Sequence, residues 1–267
     1  MMNRIIVCGG CGKMASLIAR QVYDEQELEL VGIIESPKHP SVGEDWGIAT
    51  GIGKTNVKIE TELESMINNC DVVVDFTNPE ATMEHLKICS QNKKAMVIGT
   101  TGLNESQVSE IEKMSKIIPI VFSPNMALGV NLLFDLVKKV SSVLDDEYDI
   151  EVVETHHRYK KDAPSGTAKK IAEIIAQERN IELDKKAVYG RSGNIGARNR
   201  GEIGIHAIRA GNISGEHTII FNSLGERLGL THKAYSRDAF AEGAVKAVYY
   251  ILKQQNGLFS MKEVLNL

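Results

Sequence analysis

Between Glu151 and Ile175 the sequence EVVETHHRYKKDAPSGTAKKIAEII gathers groups that can move protons and hold anions. A strand rich in β-branched residues, Ile150–Thr155, leads into the adjacent His156 and His157, with Arg158, Lys160 and Lys161 close behind. An imidazole titrating near its ordinary ~6.5 is a general acid at neutral pH, and His157 and Lys160 are suited to pairing with an anionic substrate. After Pro164, Ser165-Gly166-Thr167 opens a helix whose apolar residues fall at Ile171, Ile174 and Ile175. Its first turn carries Lys169 and Lys170, where a helix start normally carries Asp or Glu. Exposed N–H groups and an uncompensated dipole beside a basic loop favour a small carboxylate or phosphate from outside. Two plainer readings stand beside this one. Adjacent histidines in a polar loop are often only solvated, and Ser-Gly-Thr often only caps a helix.

Such groups need a scaffold, and residues 4–122 supply a regular alternation of strand and helix. Strands are expected at Ile5–Cys8, Leu30–Ile34, Val72–Phe76, Met96–Ile98 and Ile120–Phe122, with helices at Met14–Tyr23, Glu62–Asn68, Pro79–Gln91 and Glu105–Lys116. Each strand is a short unbroken apolar run, as parallel strands buried on both faces are. Repeated βα units imply a Rossmann-like doubly wound α/β sheet with helices on both sides.

After the first strand comes Gly9-Gly10-Cys11-Gly12-Lys13-Met14-Ala15. A glycine-rich strand-to-helix turn lets backbone N–H groups close on a dinucleotide pyrophosphate. The next strand ends at Glu35, near the ~20-residue spacing at which an acid takes the adenosine ribose. Phe76-Thr77-Asn78-Pro79, Gly99-Thr100-Thr101-Gly102 and Ser123-Pro124-Asn125-Met126 end three further strands. Small and polar residues at successive carboxyl-terminal edges predict a ligand cleft there. A carboxylate at Glu35 followed by Ser36 favours a free 2′-hydroxyl, while Lys38 and His39 can restore some affinity for a 2′-phosphate. Use of both NADH and NADPH is expected, with NADH at least as good.

The second half changes character. Gly129–Leu144 reads as an amphipathic helix. Ile203–Ile208, Glu216–Phe221 and Gly229–Ala234 are short strands joined by turns, the pattern of an antiparallel sheet in a second α+β domain. Gly190–Gly201 is polar and glycine-rich, either a mobile loop or a disordered linker. His217 lies in a strand and is read as structural. A last helix spans Asp238–Gln254.

The net charge of −4 and the lack of a basic stripe argue against a nucleic-acid or membrane partner. No apolar run approaches the ~20 residues of a membrane span, and no signal-peptide layout precedes the first strand, so the cytoplasm is expected. Four cysteines, Cys8, Cys11, Cys70 and Cys89, lack the spacing of a zinc site. His85 and Cys89 share a helical face with nothing to join them. No metal is expected, and the thiols are expected to be reduced.

The stretch E-x-H-H-x-x-K-x-D-x-P-S-G-T-A, at 154–168, resembles the substrate loop of the 4-hydroxy-tetrahydrodipicolinate reductase (dihydrodipicolinate reductase) family. G-x-x-G-[RK]-M, D-F-T-x-P-E, V-I-G-T-T-G, S-P-N-M-x-x-G-V-N and R-A-G-x-I-x-G-E-H resemble further family segments, so the likeness spans nearly the whole chain. It implies a dinucleotide-binding domain at 1–127 completed by 238–267, and a substrate and oligomerisation domain at 128–237. It implies that Gly9, Gly10, Cys11, Gly12, Lys13, Met14, Glu35, Gly99, Thr100, Thr101, Ser123, Pro124, Asn125 and Met126 hold NADH or NADPH. His156 would be the proton donor and acceptor, Lys160 the second proton donor, and His157, Ser165, Gly166 and Thr167 would bind a cyclic dicarboxylate. The implied reaction is hydride transfer to ring C4 with loss of water, in lysine and diaminopimelate biosynthesis, by a homotetramer. Because loop and cleft fall on different domains, closure over the ligand is expected. Two departures stand out: Ala15 occupies a third glycine position, and Asn78 replaces an arginine found in some members. The alternatives are a dinucleotide-sensing regulator without catalysis, and an oxidoreductase for another small acid.

Overall fold

The computed structural model describes residues 2–267. The chain begins with β1 (Asn3–Cys8), α1 (Ala15–Asp24), β2 (Leu28–Ile34), α2 (Trp46–Thr50), β3 (Ile59–Glu60) and α3 (Leu63–Met66). β4 (Val72–Asp75), α4 (Pro79–Gln91), β5 (Ala95–Ile98), α5 (Glu105–Met114) and β6 (Pro119–Phe122) continue the alternation. Next come α6 (Leu128–Val143), β7 (Asp149–His156), α7 (Gly166–Glu178), α8 (Leu183–Lys186) and β8 (Ala187–Tyr189). β9 (Ile203–Arg209), β10 (Gly215–Asn222) and β11 (Arg227–Ala234) follow. The chain ends with α9 (Asp238–Ile251), β12 (Gly257–Phe259) and α10 (Met261–Leu265). Among the described residues no helix is long and apolar enough to cross a membrane.

Two compact units result. One contains the chain through Leu128 together with Arg237–Leu267, the other Gly129–Ser236. The first is built on a seven-stranded sheet in the order β12-β6-β5-β4-β1-β2-β3, parallel throughout. The unbroken apolar runs now have their explanation, because alternate residues enter two different cores. Ile5, Val7, Val72 and Val74 pack with α1 and α9, whereas Ile6, Cys8, Val73, Met96 and Ile98 pack with Leu63, Leu86 and Ile111 of the helices on the other face.

The second unit carries a five-stranded sheet in the order β11-β10-β7-β9-β8. Its pairing is mixed. β10 runs antiparallel to β7 and β11, but β9 lies parallel to both β7 and β8. A wholly antiparallel reading of the three late strands therefore holds only for the β10–β11 hairpin. The α7–α8 crossover returns the chain in the direction of β7, and β9 pairs with β7 instead of β10, which makes that side of the sheet parallel. One face is covered by α6 and α7, through Leu133, Val137, Ile171 and Ile175 against Ile150, Val152, Ile205 and Phe221.

The 190–201 passage is neither a free loop nor a linker. Arg191 and Arg198 anchor it to the Glu151 carboxylate at 2.9 and 3.1 Å, and Arg191 also reaches Glu202 at 3.3 Å.

Candidate active site

In the first unit the strand ends converge as their composition predicts. Gly9 turns the chain at φ +77°, and a side chain on Gly10 would collide with Ile33 at 2.6 Å. The Gly12 N–H closes the turn on the Gly9 carbonyl at 2.7 Å. α1 then starts after Met14 with no side-chain cap and no acidic residue in its first turn, leaving its positive end uncompensated beside Lys13. That geometry fits a dinucleotide pyrophosphate. Glu35 curls back to the same turn, accepting the Cys11 N–H at 3.1 Å and its neighbour Ser36 N–H at 2.9 Å. The indole N–H of the buried Trp46 donates to the Gly10 carbonyl at 3.0 Å, fixing the turn from behind.

Beside the turn is a cavity of about 250 Å³ bounded by Met14, Thr77, Gly99–Thr101, Pro124–Met126 and Phe240. Gly99 is required there, since a Cβ would stand 2.1 Å from the Phe76 ring. Beneath the cavity Asp75 is fully buried, and its Oδ1 accepts from the Thr77, Thr82 and Thr100 hydroxyls at 2.7, 2.8 and 3.0 Å. Its Oδ2 meets His85 Nδ1 at 2.5 Å. Burial favours the neutral acid, but His85 and the threonine hydroxyls outweigh it and hold Asp75 below the ordinary carboxylate range. Cys8, Asp75 and His85 present three possible metal ligands, yet both Asp75 oxygens are already engaged by the protein. Ser123 and Asn125 shape their own loop: the Ser123 hydroxyl donates to the Asn125 carbonyl at 2.7 Å, and the Asn125 side chain accepts from Ala127 N–H at 3.0 Å. Asn78 caps α4, accepting from Ala81 N–H at 3.0 Å.

In the second unit His156 is the last residue of β7 and is only 9 % exposed, so it belongs to the sheet and not to a polar loop. Its Nδ1 lies 2.6 Å from the carboxylate of Glu154, which is itself fully buried. Arg209 grips that carboxylate with both terminal nitrogens, at 2.8 and 2.7 Å, and Ser165 N–H donates to it at 3.0 Å. Burial would raise the Glu154 pKa; Arg209, His156 and the Ser165 N–H reverse that and lower it. His156 titrates below its ordinary value because burial disfavours the imidazolium and Lys160 and Arg209 repel it, with Glu154 opposing both.

His157 is half-buried at the start of the following turn, and its carbonyl accepts from Lys160 N–H at 3.1 Å. Lys160 Nζ is paired with Asp162 at 3.0 Å. The start of α7 differs in part from the sequence reading. Ser165 is 2 % exposed, its N–H is committed to Glu154, and its hydroxyl caps Ala168 N–H at 3.2 Å and meets His217 Nε2 at 3.0 Å. Ser165 therefore has no N–H left for an external anion, and an anion at this helix start would meet Gly166 and Thr167. His217 lies edge-on to His156 with ring centroids 5.3 Å apart, and burial, followed by the charge of His156, pushes it down to about 4. At neutral pH it is an uncharged anchor for Ser165.

Both halves of the chain match models of one family: residues 3–126 fit the description dihydrodipicolinate reductase, N-terminus, and residues 129–265 fit dihydrodipicolinate reductase, C-terminus. The chain belongs to the dihydrodipicolinate reductase family. It is 45 % identical, over 99 % of its length and 98 % of the relative, to the 4-hydroxy-tetrahydrodipicolinate reductase of Syntrophus aciditrophicus. Identity to the protein of that name from Geotalea uraniireducens is 40 % over the full length of both. A solved dipicolinate-bound dihydrodipicolinate reductase from Paenisporosarcina sp. TG-14 superposes with a TM-score of 0.78 at 26 % identity, covering 98 % of this chain and 99 % of that one.

Of four residues at these sites given no role from the sequence, two carry a signal there. Glu154 is two residues before His156 on a strand, so both side chains share one face. Asp162 lies in the quoted loop motif, two residues after Lys160. Arg209 comes from a distant strand, and only the β7–β9 register, with His156 opposite Arg209, brings it in. Trp46 lies on a five-residue helix too short to show a period.

Proposed function

We propose that this chain reduces 4-hydroxy-tetrahydrodipicolinate to tetrahydrodipicolinate, with loss of water, in lysine and diaminopimelate biosynthesis. The observation that carries the reading is a histidine-bearing cationic loop on the second unit of a chain whose first unit has the glycine turn and strand-end cavity, in a protein matched along its whole length by this family. NADH or NADPH, when bound, supplies the hydride that reduces ring C4. The pyrophosphate would lie on the Gly9–Met14 turn and the uncapped start of α1, at the N–H groups that Glu35 and the Gly9 carbonyl leave free; Glu35 would take the adenosine ribose, and Gly99–Thr101 with Ser123–Met126 the nicotinamide end.

The chain's own side chains handle the acid groups and the proton. His157, Lys160 and the α7 start at Gly166 and Thr167 receive the two carboxylates, while Ser165 sets the pitch of that start from within. His156 gives a proton from Nε2 to the ring as electron density arrives, and Lys160 is the second donor. In the substrate-free chain His156 is held below its ordinary pKa. A dianionic ring beside it favours the imidazolium, so the substrate charges its own acid. Outward-facing apolar residues of the second sheet, among them Ile208 at 46 % exposure, support a homotetramer assembled through those sheets. A cytoplasmic setting belongs to the same reading.

The experiment follows NADH absorbance with freshly generated 4-hydroxy-tetrahydrodipicolinate. The signal is expected to fall with either nucleotide, with NADH at least as effective as NADPH. A flat trace returns the chain to the dinucleotide sensor or to a different acid substrate, and a hundredfold preference for NADPH overturns the role given to Glu35.

A further inference from the structure

We infer that Glu154, clamped by Arg209, is a positioning residue that fixes the His156 imidazole with a protonated Nδ1 facing inward and Nε2 left to exchange the proton. The inference rests on the reductase reading, but the spectra that test it do not. An ionised carboxylate only accepts, so the nitrogen 2.6 Å from Glu154 Oε2 must carry hydrogen. The remaining positions on Glu154 are filled by Arg209 and Ser165 N–H, which leaves the carboxylate no second orientation.

The other face of the ring has been kept open. A Cβ on Gly215, at the start of β10, would stand 3.1 Å from His156 Nε2, and Nε2 has no hydrogen-bond partner among the described residues. The charges around the ring single out Glu154. Lys160 and Arg209 disfavour an imidazolium, and His217, edge-on from β10, lies beside it. Asp162 is occupied with Lys160. Glu154 alone among the groups facing the ring favours its charged form. In the step itself the Nε2–H bond breaks and its electron pair stays on Nε2. The proton passes to the substrate atom gaining electron density, and the neutral ring is left in the Nδ1–H form already held by Glu154. Solvent then restores the proton on Nε2.

Glu154→Gln separates positioning from mere packing. The glutamine amide is nearly isosteric, and the two donors at the Oε1 position, Arg209 and Ser165 N–H, favour the amide oxygen there, which turns the NH2 to Nδ1 and the neutral ring to the Nε2–H form. Nitrogen-15 spectra of histidine-labelled full-length chain, with His156 assigned by its disappearance in His156→Gln, report the tautomer directly. Wild type is expected to be Nδ1–H above its titration, and Glu154→Gln to shift to Nε2–H. Turnover of the variant should fall by at least about 10²-fold, and the alkaline limb of kcat/KM should move to lower pH because the charge that favours the imidazolium is gone. A uniform fall in rate with the limb unmoved would reduce Glu154 to packing. Wild-type spectra showing Nε2–H overturn the inference even if the variant does not fold. A correct tautomer pair in a chain that reduces nothing leaves the positioning intact and removes the activity.

Discussion

A carboxylate taken out of water costs several kcal/mol unless donors fill its lone pairs. This chain meets that condition twice, at Asp75 beneath the first unit's cavity and at Glu154 behind His156. Both sit at the carboxyl-terminal end of a strand and organise the groups around them, so each acts through the residues it holds. His156 is different, because the proposed reaction draws its proton from Nε2. His156→Gln should lower turnover by roughly 10²–10⁴, the usual range for a lost general acid. NADH affinity, read by fluorescence titration, should be unchanged, since His156 lies in the other unit; undiminished turnover would take His156 out of the reaction. The groups proposed to react were legible, because a histidine pair, a basic loop and a Ser-Gly-Thr helix start are all local. Their partners were legible only in part. Glu154 is within reach of a period-two reading, whereas Arg209 depends on which strands pair, and no local pattern encodes that.

Elements position these groups by approaching closely where glycine allows it. Parallel strands buried on both sides read plainly as continuous apolar runs, which is why the strand ends and their cleft could be found from sequence. β3, β8 and β12 have two or three residues each, too few to show any period, and the mixed second sheet followed from a crossover whose return direction no local pattern fixes. Gly243 on α9 is another long-range feature. A Cβ there would stand 1.7 Å from the Met126 carbonyl, so the helix lies directly against the Ser123–Met126 loop, and Phe240 on the same helix lines the cavity. Gly243→Ala must push helix and loop apart, at about 1–3 kcal/mol for overpacking of this kind. Calorimetry should show a lower melting temperature, and NADH should bind more weakly while His156 keeps its tautomer. Unchanged melting and affinity would mean that α9 does not set the shape of that wall.

For the molecule as a whole, pH enters through carboxylates whose partners exist only in the folded state. Glu151 has more basic side chains as partners than Asp75 or Glu154, taking Arg191, Arg198 and His206 at 2.9, 3.1 and 2.7 Å and so tying β7 to β9 and to the 190–201 passage. Burial alone would raise its pKa, but the arginines and His206 pull it from the ordinary 4.5 down to about 2. A carboxyl with a depressed folded-state pKa binds more protons unfolded than folded on the acid side. Its stabilisation is therefore complete above the unfolded value and is lost as pH falls from about 4.5 through 2. Glu151→Gln removes that charge while keeping the side chain's shape. The gap in urea midpoint between wild type and variant, followed by circular dichroism, should be full above about pH 5 and close as pH drops toward 2. A gap that stays constant across that range would mean the two arginines and His206 contribute through packing alone, and the second unit's tolerance of acid would have to come from elsewhere.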